Sequence, residues 1–90
     1  MPKFEWDPAK AARNQKKHRG VTFEDAIHVF DDDRALDEAD ADPDEDRRKI
    51  IGRSAGRILF VIYTEPEDDC IRIISARKAT KNEVKAYHQG

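Results

Sequence analysis

A chain of 90 residues with 17 Lys and Arg, 19 Asp and Glu and a net charge of -2 makes one small domain, able to bury only about 60 to 65% of the surface its unfolded form exposes. One cysteine, Cys70, excludes an intrachain disulfide and a cysteine-rich metal site, and no apolar run approaches the ~18 residues that cross a bilayer, so a soluble cytoplasmic protein is expected. The near-neutral total hides a division: Asp31 to Asp46 holds ten acids against one base, Arg34, for -9, while the remaining residues carry +7.

Phe4-Glu5-Trp6 reads as a short extended segment. Asp7-Pro8 ends it, an N-cap oxygen followed by a proline at the first helical position. A helix is expected from Pro8 to about Arg19, stopped at Gly20, the residue type best suited to the left-handed conformation past a helix end. Its apolar face consists only of Ala9 and Ala12. Lys10, Asn14 and Lys17 fall together on one side, flanked by Arg13, which taken by itself reads first as a solvated basic stripe. Val21 to Ala26 opens a second helix, with Thr22 as cap, Asp25 in the first turn and Val21 placed to staple onto Ala26. Phe23, Ala26, Ile27 and Phe30 form its apolar face, His28 points away from that face, and the helix ends near Asp31.

After the acidic run, Lys49 to Arg53, Arg57 to Thr64 and Ile71 to Ala76 are rich in β-branched and aromatic residues and read as strands. The turns between them, Ser54-Ala55-Gly56 and Glu65 to Asp69, are short enough to make their neighbours antiparallel. Ala35 to Ala39 is a candidate edge strand whose charge discourages aggregation. Thr80-Lys81-Asn82-Glu83 is a capping box that opens a C-terminal helix, with Val84 and Tyr87 spaced to touch the sheet. The expected fold is α+β: a small antiparallel sheet of three or four strands plus a short N-terminal strand, packed with two N-terminal helices and one C-terminal helix, in one domain spanning residues 1–90.

Chemistry is sparse. His18, His28 and His88 lack ligand spacing, and the acidic run lacks the alternating pattern of a calcium loop, so no metal or cofactor is expected. Cys70 follows Glu67-Asp68-Asp69, neighbours that raise a thiol pKa rather than activate it. Ten of the 17 bases fall in two blocks, Arg47, Arg48, Lys49, Arg53 and Arg57, then Arg72, Arg77, Lys78, Lys81 and Lys85. Arg72, inside an apolar strand, needs either a carboxylate across the sheet or an opening to solvent. Arg77 follows a strand end and precedes a helix N-terminus, a junction suited to a phosphate. Cleaving RNA without a metal requires a base for the 2′-hydroxyl, positive charge on the pentacoordinate phosphate and an acid for the leaving oxygen. Arginine suits the second task. His18, Lys17, Tyr63 and Tyr87 are candidates for the others, and each reads equally well as a packing or capping residue.

Phe4-Glu5-Trp6-Asp7-Pro8-x-Lys10, Asn14-x-x-Lys17-His18-x-Gly20-Val21-x-Phe23-x-x-Ala26, Glu45-x-Arg47, Ile51-Gly52, Tyr63-Thr64 and Ile71 to Ala79, followed by Glu83 and Tyr87, resemble the BrnT family of bacterial type II toxins across nearly the whole chain. The resemblance implies a RelE-like fold and a ribonuclease that arrests translation. It implies neutralisation in a hetero-oligomer by a BrnA-like ribbon-helix-helix antitoxin, and operator DNA bound only through that complex. The family's basic motif positions fall on Lys10, Lys17, His18, Arg72 and Arg77.

The leading expectation is a metal-independent endoribonuclease toxin. Arg72 and Arg77 act on the scissile phosphate, Lys17, His18 or Tyr87 move protons, and Lys10, Arg53, Arg57 and Tyr63 contact RNA. The alternative is a non-catalytic module that uses the same basic surface to dock an acidic partner or act as a co-repressor. The acidic run is expected either to lie away from the cleft or to fold over it as an internal competitor.

Overall fold

The computed structural model describes residues 2–40 and 46–90; Glu45 and the centre of the acidic run lie outside them. In chain order the elements are β1 (Lys3–Glu5), α1 (Pro8–Lys17), α2 (Phe23–Ile27) with a 3-10 turn (His28–Asp31), β2 (Leu36–Ala39), β3 (Arg48–Ser54), β4 (Arg57–Glu67), β5 (Cys70–Lys78) and α3 (Lys81–Gln89). The five strands form one sheet in the order β1-β5-β4-β3-β2.

The sheet is mixed, not antiparallel as expected. β2 through β5 pair antiparallel, but β1 lies parallel to β5, with Glu5 beside Arg72. Short turns dictate direction only between the strands they join, and no short turn joins β1 to its neighbour. The expected charged edge strand is present as β2, paired with β3 from Leu36↔Ile51 to Ala39↔Arg48.

Local chemistry explains most boundaries. Asp7 accepts a hydrogen bond from the Ala9 backbone N-H at 2.9 Å, with Pro8 opening α1. Gly20 adopts φ +81° beyond the helix end, a conformation in which a Cβ is strained. Thr22 and Asp25 form a reciprocal capping box. Ala55 and Gly56, at φ 50° and 80°, make the two-residue turn whose twist matches the strands it joins. Thr80 and Glu83 cap α3 as their spacing predicts. Strand β4 runs on to Glu67, past the turn expected at Glu65 to Asp69, and only Asp68 and Asp69 separate it from β5.

The helical layer packs Val21, Phe23, Ala26 and Val29 onto Ile50, Leu59, Val61, Tyr63, Ile71, Ile73 and Ala76. Each large apolar side chain buried there contributes about 1.5–3 kcal/mol. An aromatic line extends this core from Phe4 to Phe30 (ring centroids 5.4 Å apart) and from Phe30 to Tyr63 (4.9 Å). Gly52 permits the layers to approach, because a Cβ there would meet Val29 Cγ1 at 2.8 Å and Ala35 Cβ at 3.1 Å. Strand alternation sends Ile51, Phe60 and Arg77, aligned in register, to the other face, where the buried ring of Tyr87 anchors α3. Among the described residues no helix is long and apolar enough to cross a membrane.

Candidate functional site: the seam between α1 and β5

β1 covers β5 only from Cys70 to Arg72, so the outer edge of β5 beyond that point lacks a strand partner. Asn14 closes it. Its Nδ2 donates to the Ala76 carbonyl at 2.9 Å, and its Oδ1 accepts from the Ala76 N-H at 3.1 Å. An amide side chain carries both a donor and an acceptor, so one residue stands in for a neighbouring strand. Asn14 is 7% exposed, whereas Ala9 and Ala12, the expected packing face, lie on the outside. Helix α1 is docked through Asn14 and the partly buried Ala11, and it runs alongside β5 with Lys10 near Arg72 and His18 near Arg77.

At the first end of this seam, Glu5, Trp6, Asp7, Lys10, Arg72 and Ile74 line a cleft of about 260 Å³. The Arg72 side chain is half exposed and donates to Glu5 Oε2 through Nε at 3.2 Å and Nη2 at 2.9 Å. Glu5 Oε1 accepts from Cys70 Sγ at 2.8 Å. The Cys70 hydrogen bond, then that of Arg72, holds the Glu5 carboxyl below its ordinary pKa. The same carboxylate pushes the Cys70 thiol up, so this sulfur is a poor nucleophile. Both alternatives for Arg72 are realised together, a carboxylate partner and an opening to solvent.

At the second end, Arg77 grips Glu83 with two parallel bonds, Nη1 to Oε1 at 2.8 Å and Nη2 to Oε2 at 2.9 Å, and lies 4.1 Å over the Phe60 ring. Arg77 is the main cause of a lowered Glu83 pKa. Burial, then the positive charges of Lys17 and Arg77, lowers the pKa of His18. The imidazole is therefore neutral at neutral pH and able to accept a proton. Along β5 the five positions from Arg72 to Arg77 span roughly 16 Å. Separate carboxylates hold the two guanidiniums, so the pair does not converge on one phosphate.

The other expected site residues lie elsewhere. Tyr63 is 2% exposed, and its hydroxyl meets both Asp37 carboxylate oxygens at 2.7 Å. Burial first, then Asp37, pushes its pKa up to about 12. Tyr87 donates to Asp32 Oδ2 at 2.6 Å, an oxygen that also accepts from the Arg53 N-H at 2.8 Å. That bond raises the Tyr87 pKa, and the group sits by β3, two strands away from β5. Arg57 binds the Gly20 carbonyl at 2.6 Å and Asp25 at 3.2 Å, latching the α1 to α2 connection. The first basic block is largely spent on ion pairs, with Arg47 to Asp40, Arg48 to Asp37, Lys49 to Glu38 and Arg57 to Asp25. Among the described residues no group of three His, Cys, Asp or Glu side chains could hold a metal ion.

Asn14, Asp32 and Glu5 escape a reading by residue type. Only Asn14 leaves a trace in the sequence, as a residue that disfavours helix interiors placed in the middle of one.

Residues 6–83 match the model of the ribonuclease toxin BrnT of type II toxin-antitoxin systems. The chain is also similar to the crystal structure of the Brucella abortus ribonuclease toxin BrnT, with a TM-score of 0.70 and 30% identity over 90% of this chain and 100% of that one. No match was found among curated protein sequences. With the family model spanning most of its length, the chain belongs to the BrnT family of ribonuclease toxins of type II toxin-antitoxin systems.

Proposed function

We propose that this protein is a metal-independent endoribonuclease of RelE-like type that arrests translation in the cytoplasm, with RNA lying along the seam between α1 and β5. The observation that carries the reading is the second end of that seam, where Glu83 orients the Arg77 guanidinium and the charges of Lys17 and Arg77 help to lower the pKa of His18. In this scheme His18 takes the proton of a ribose 2′-hydroxyl, whose oxygen attacks the adjacent phosphorus. Arg77 stabilises the charge on the pentacoordinate phosphate. The bond to the 5′-oxygen breaks to leave a 2′,3′-cyclic phosphate, and Lys17 supplies the proton to the departing oxygen. Lys10 and Arg72 hold the strand further along. Tyr87, Tyr63, Arg53 and Arg57 take no part in this scheme: the Tyr87 and Tyr63 hydroxyls serve Asp32 and Asp37, Arg57 serves Gly20 and Asp25, and Arg53 lies on β3, two strands from β5.

A BrnA-like ribbon-helix-helix antitoxin would neutralise the toxin in a hetero-oligomer, with operator DNA contacted only through that complex. Purified protein should cut RNA in EDTA, and full activity in Arg77→Ala would overturn the role given to that residue. A second reading, a non-catalytic binding module, draws on one feature: both seam arginines already have carboxylate partners. RNA left intact at high protein concentration, together with harmless expression, would favour it.

A further inference from the structure

We infer that the cleft at the first end of the seam is a base-reading subsite that selects guanine, two to three nucleotides from the cut. The inference rests on the ribonuclease reading and adds a sequence preference to it.

The cleft, about 260 Å³, falls below the roughly 300–1,000 Å³ of sites that enclose whole ligands, and it suits one planar base. Its lining is chemically divided. Trp6, held edge-on to Phe23 with centroids 5.8 Å apart, offers an aromatic surface anchored in the core, and aromatic faces are what unstacked RNA bases stack upon. Asp7 spends only Oδ1 on the helix cap. Among the described residues its Oδ2 and the ammonium of Lys10 have no partner, and Arg72 keeps Nη1 unused beside the Glu5 pair.

A carboxylate oxygen next to two cationic donors matches one base edge best. Guanine places the donors N1-H and N2-H beside the acceptors O6 and N7, and Arg or Lys to O6 and N7 is the commonest specific contact to this base. Adenine and cytosine each offer a single amino donor, and uracil a single N-H. The ion pair with Glu5 keeps Arg72 in place and leaves Asp7 as the acceptor. The spacing follows from the fold: about 16 Å between Arg72 and Arg77 accommodates two to three nucleotides of single-stranded RNA.

The test uses the full chain and short RNAs carrying one guanosine at each position around a fixed cleavage site, with that guanosine then replaced by inosine, which lacks the N2 amine. Wild-type protein should show a guanosine preference at one fixed offset, and inosine there should lower kcat/KM roughly tenfold or more. Asp7→Asn retains a good helix cap while replacing the carboxylate, so it should remain folded and lose the discrimination between guanosine and inosine. Lys10→Ala should weaken the same preference. Cleavage with no base preference at any offset, or an inosine penalty unchanged in Asp7→Asn, overturns the subsite and leaves the ribonuclease reading intact. If no RNA is cut and Arg77→Ala behaves as wild type, the ribonuclease reading itself fails.

Discussion

The two edges of the sheet solve one problem in opposite ways. A sheet edge exposes unpaired backbone groups that invite another strand. At the β5 edge, a three-residue parallel strand and a single amide side chain from α1 close the gap, and Lys10 and Lys17 stay exposed there. At the β2 edge, charge does the work, and Asp37, Glu38 and Asp40 pair with the bases of β3 and the residue before it. Of two basic blocks that look alike in sequence, the first has four of its five members in ion pairs, whereas in the second, among the described residues, only Arg72 and Arg77 are paired, with Glu5 and Glu83. The β2 end of the acidic run lies three strands from β5, so for these residues the first alternative, a position away from the cleft, is the one observed.

This contrast can be broken by substitution. The largest effect is expected at Arg77, where Arg77→Ala should reduce cleavage roughly 100-fold or more with the fold retained, read as single-turnover rates beside a circular dichroism spectrum. Asn14→Leu should open the β5 edge by orphaning the N-H and carbonyl of buried Ala76. A loss of about 2–4 kcal/mol is expected from two unsatisfied backbone groups, measured by urea unfolding. Tyr63→Phe removes the hydroxyl from Asp37 and should cost about 1 kcal/mol in the same titration, with RNA cleavage unchanged. Glu38→Ala, at a side chain 63% exposed and a 3.6 Å pair, should cost under ~0.5 kcal/mol and leave the salt dependence of RNA binding as it was.

The pH profile sharpens the same comparison. The pKa of His18 is lowered from 6.5 in the folded protein, so the base form prevails at neutral pH. Cleavage should therefore rise with pH through a value below 6.5 and then level off. Stability follows the same sign, because the unfolded chain binds the His18 proton first; the contribution is complete above 6.5 and declines as pH falls towards the folded value. A cleavage profile that is flat from pH 5 to pH 8 would remove His18 from the mechanism.

Much of the fold was legible because the signals are local. Asp7-Pro8, Thr22 with Asp25, Ala55-Gly56 and Thr80 with Glu83 act within four residues, so each marks a boundary whatever the rest of the chain does. Family motifs placed Lys10, Lys17, His18, Arg72 and Arg77 on one list, and the structure sets them along one seam. Where residue type alone was the guide, the reading went astray. Tyr63 is a core ring whose hydroxyl serves Asp37, and Ala9 and Ala12 are not the face on which α1 rests.

The sequence by itself determined the helix caps, the β3 to β5 meander and the presence of two opposed charge populations, since propensity, turn chemistry and composition need no distant partner. Tertiary structure alone decided the parallel placement of β1, the bracing of Ala76 by Asn14 and which cations remain exposed. Those depend on residues far apart in the chain, Asn14 and Ala76 being separated by 62 positions. The physical reason is that a buried hydrogen bond or ion pair is settled by whichever partner the packing brings within about 3 Å.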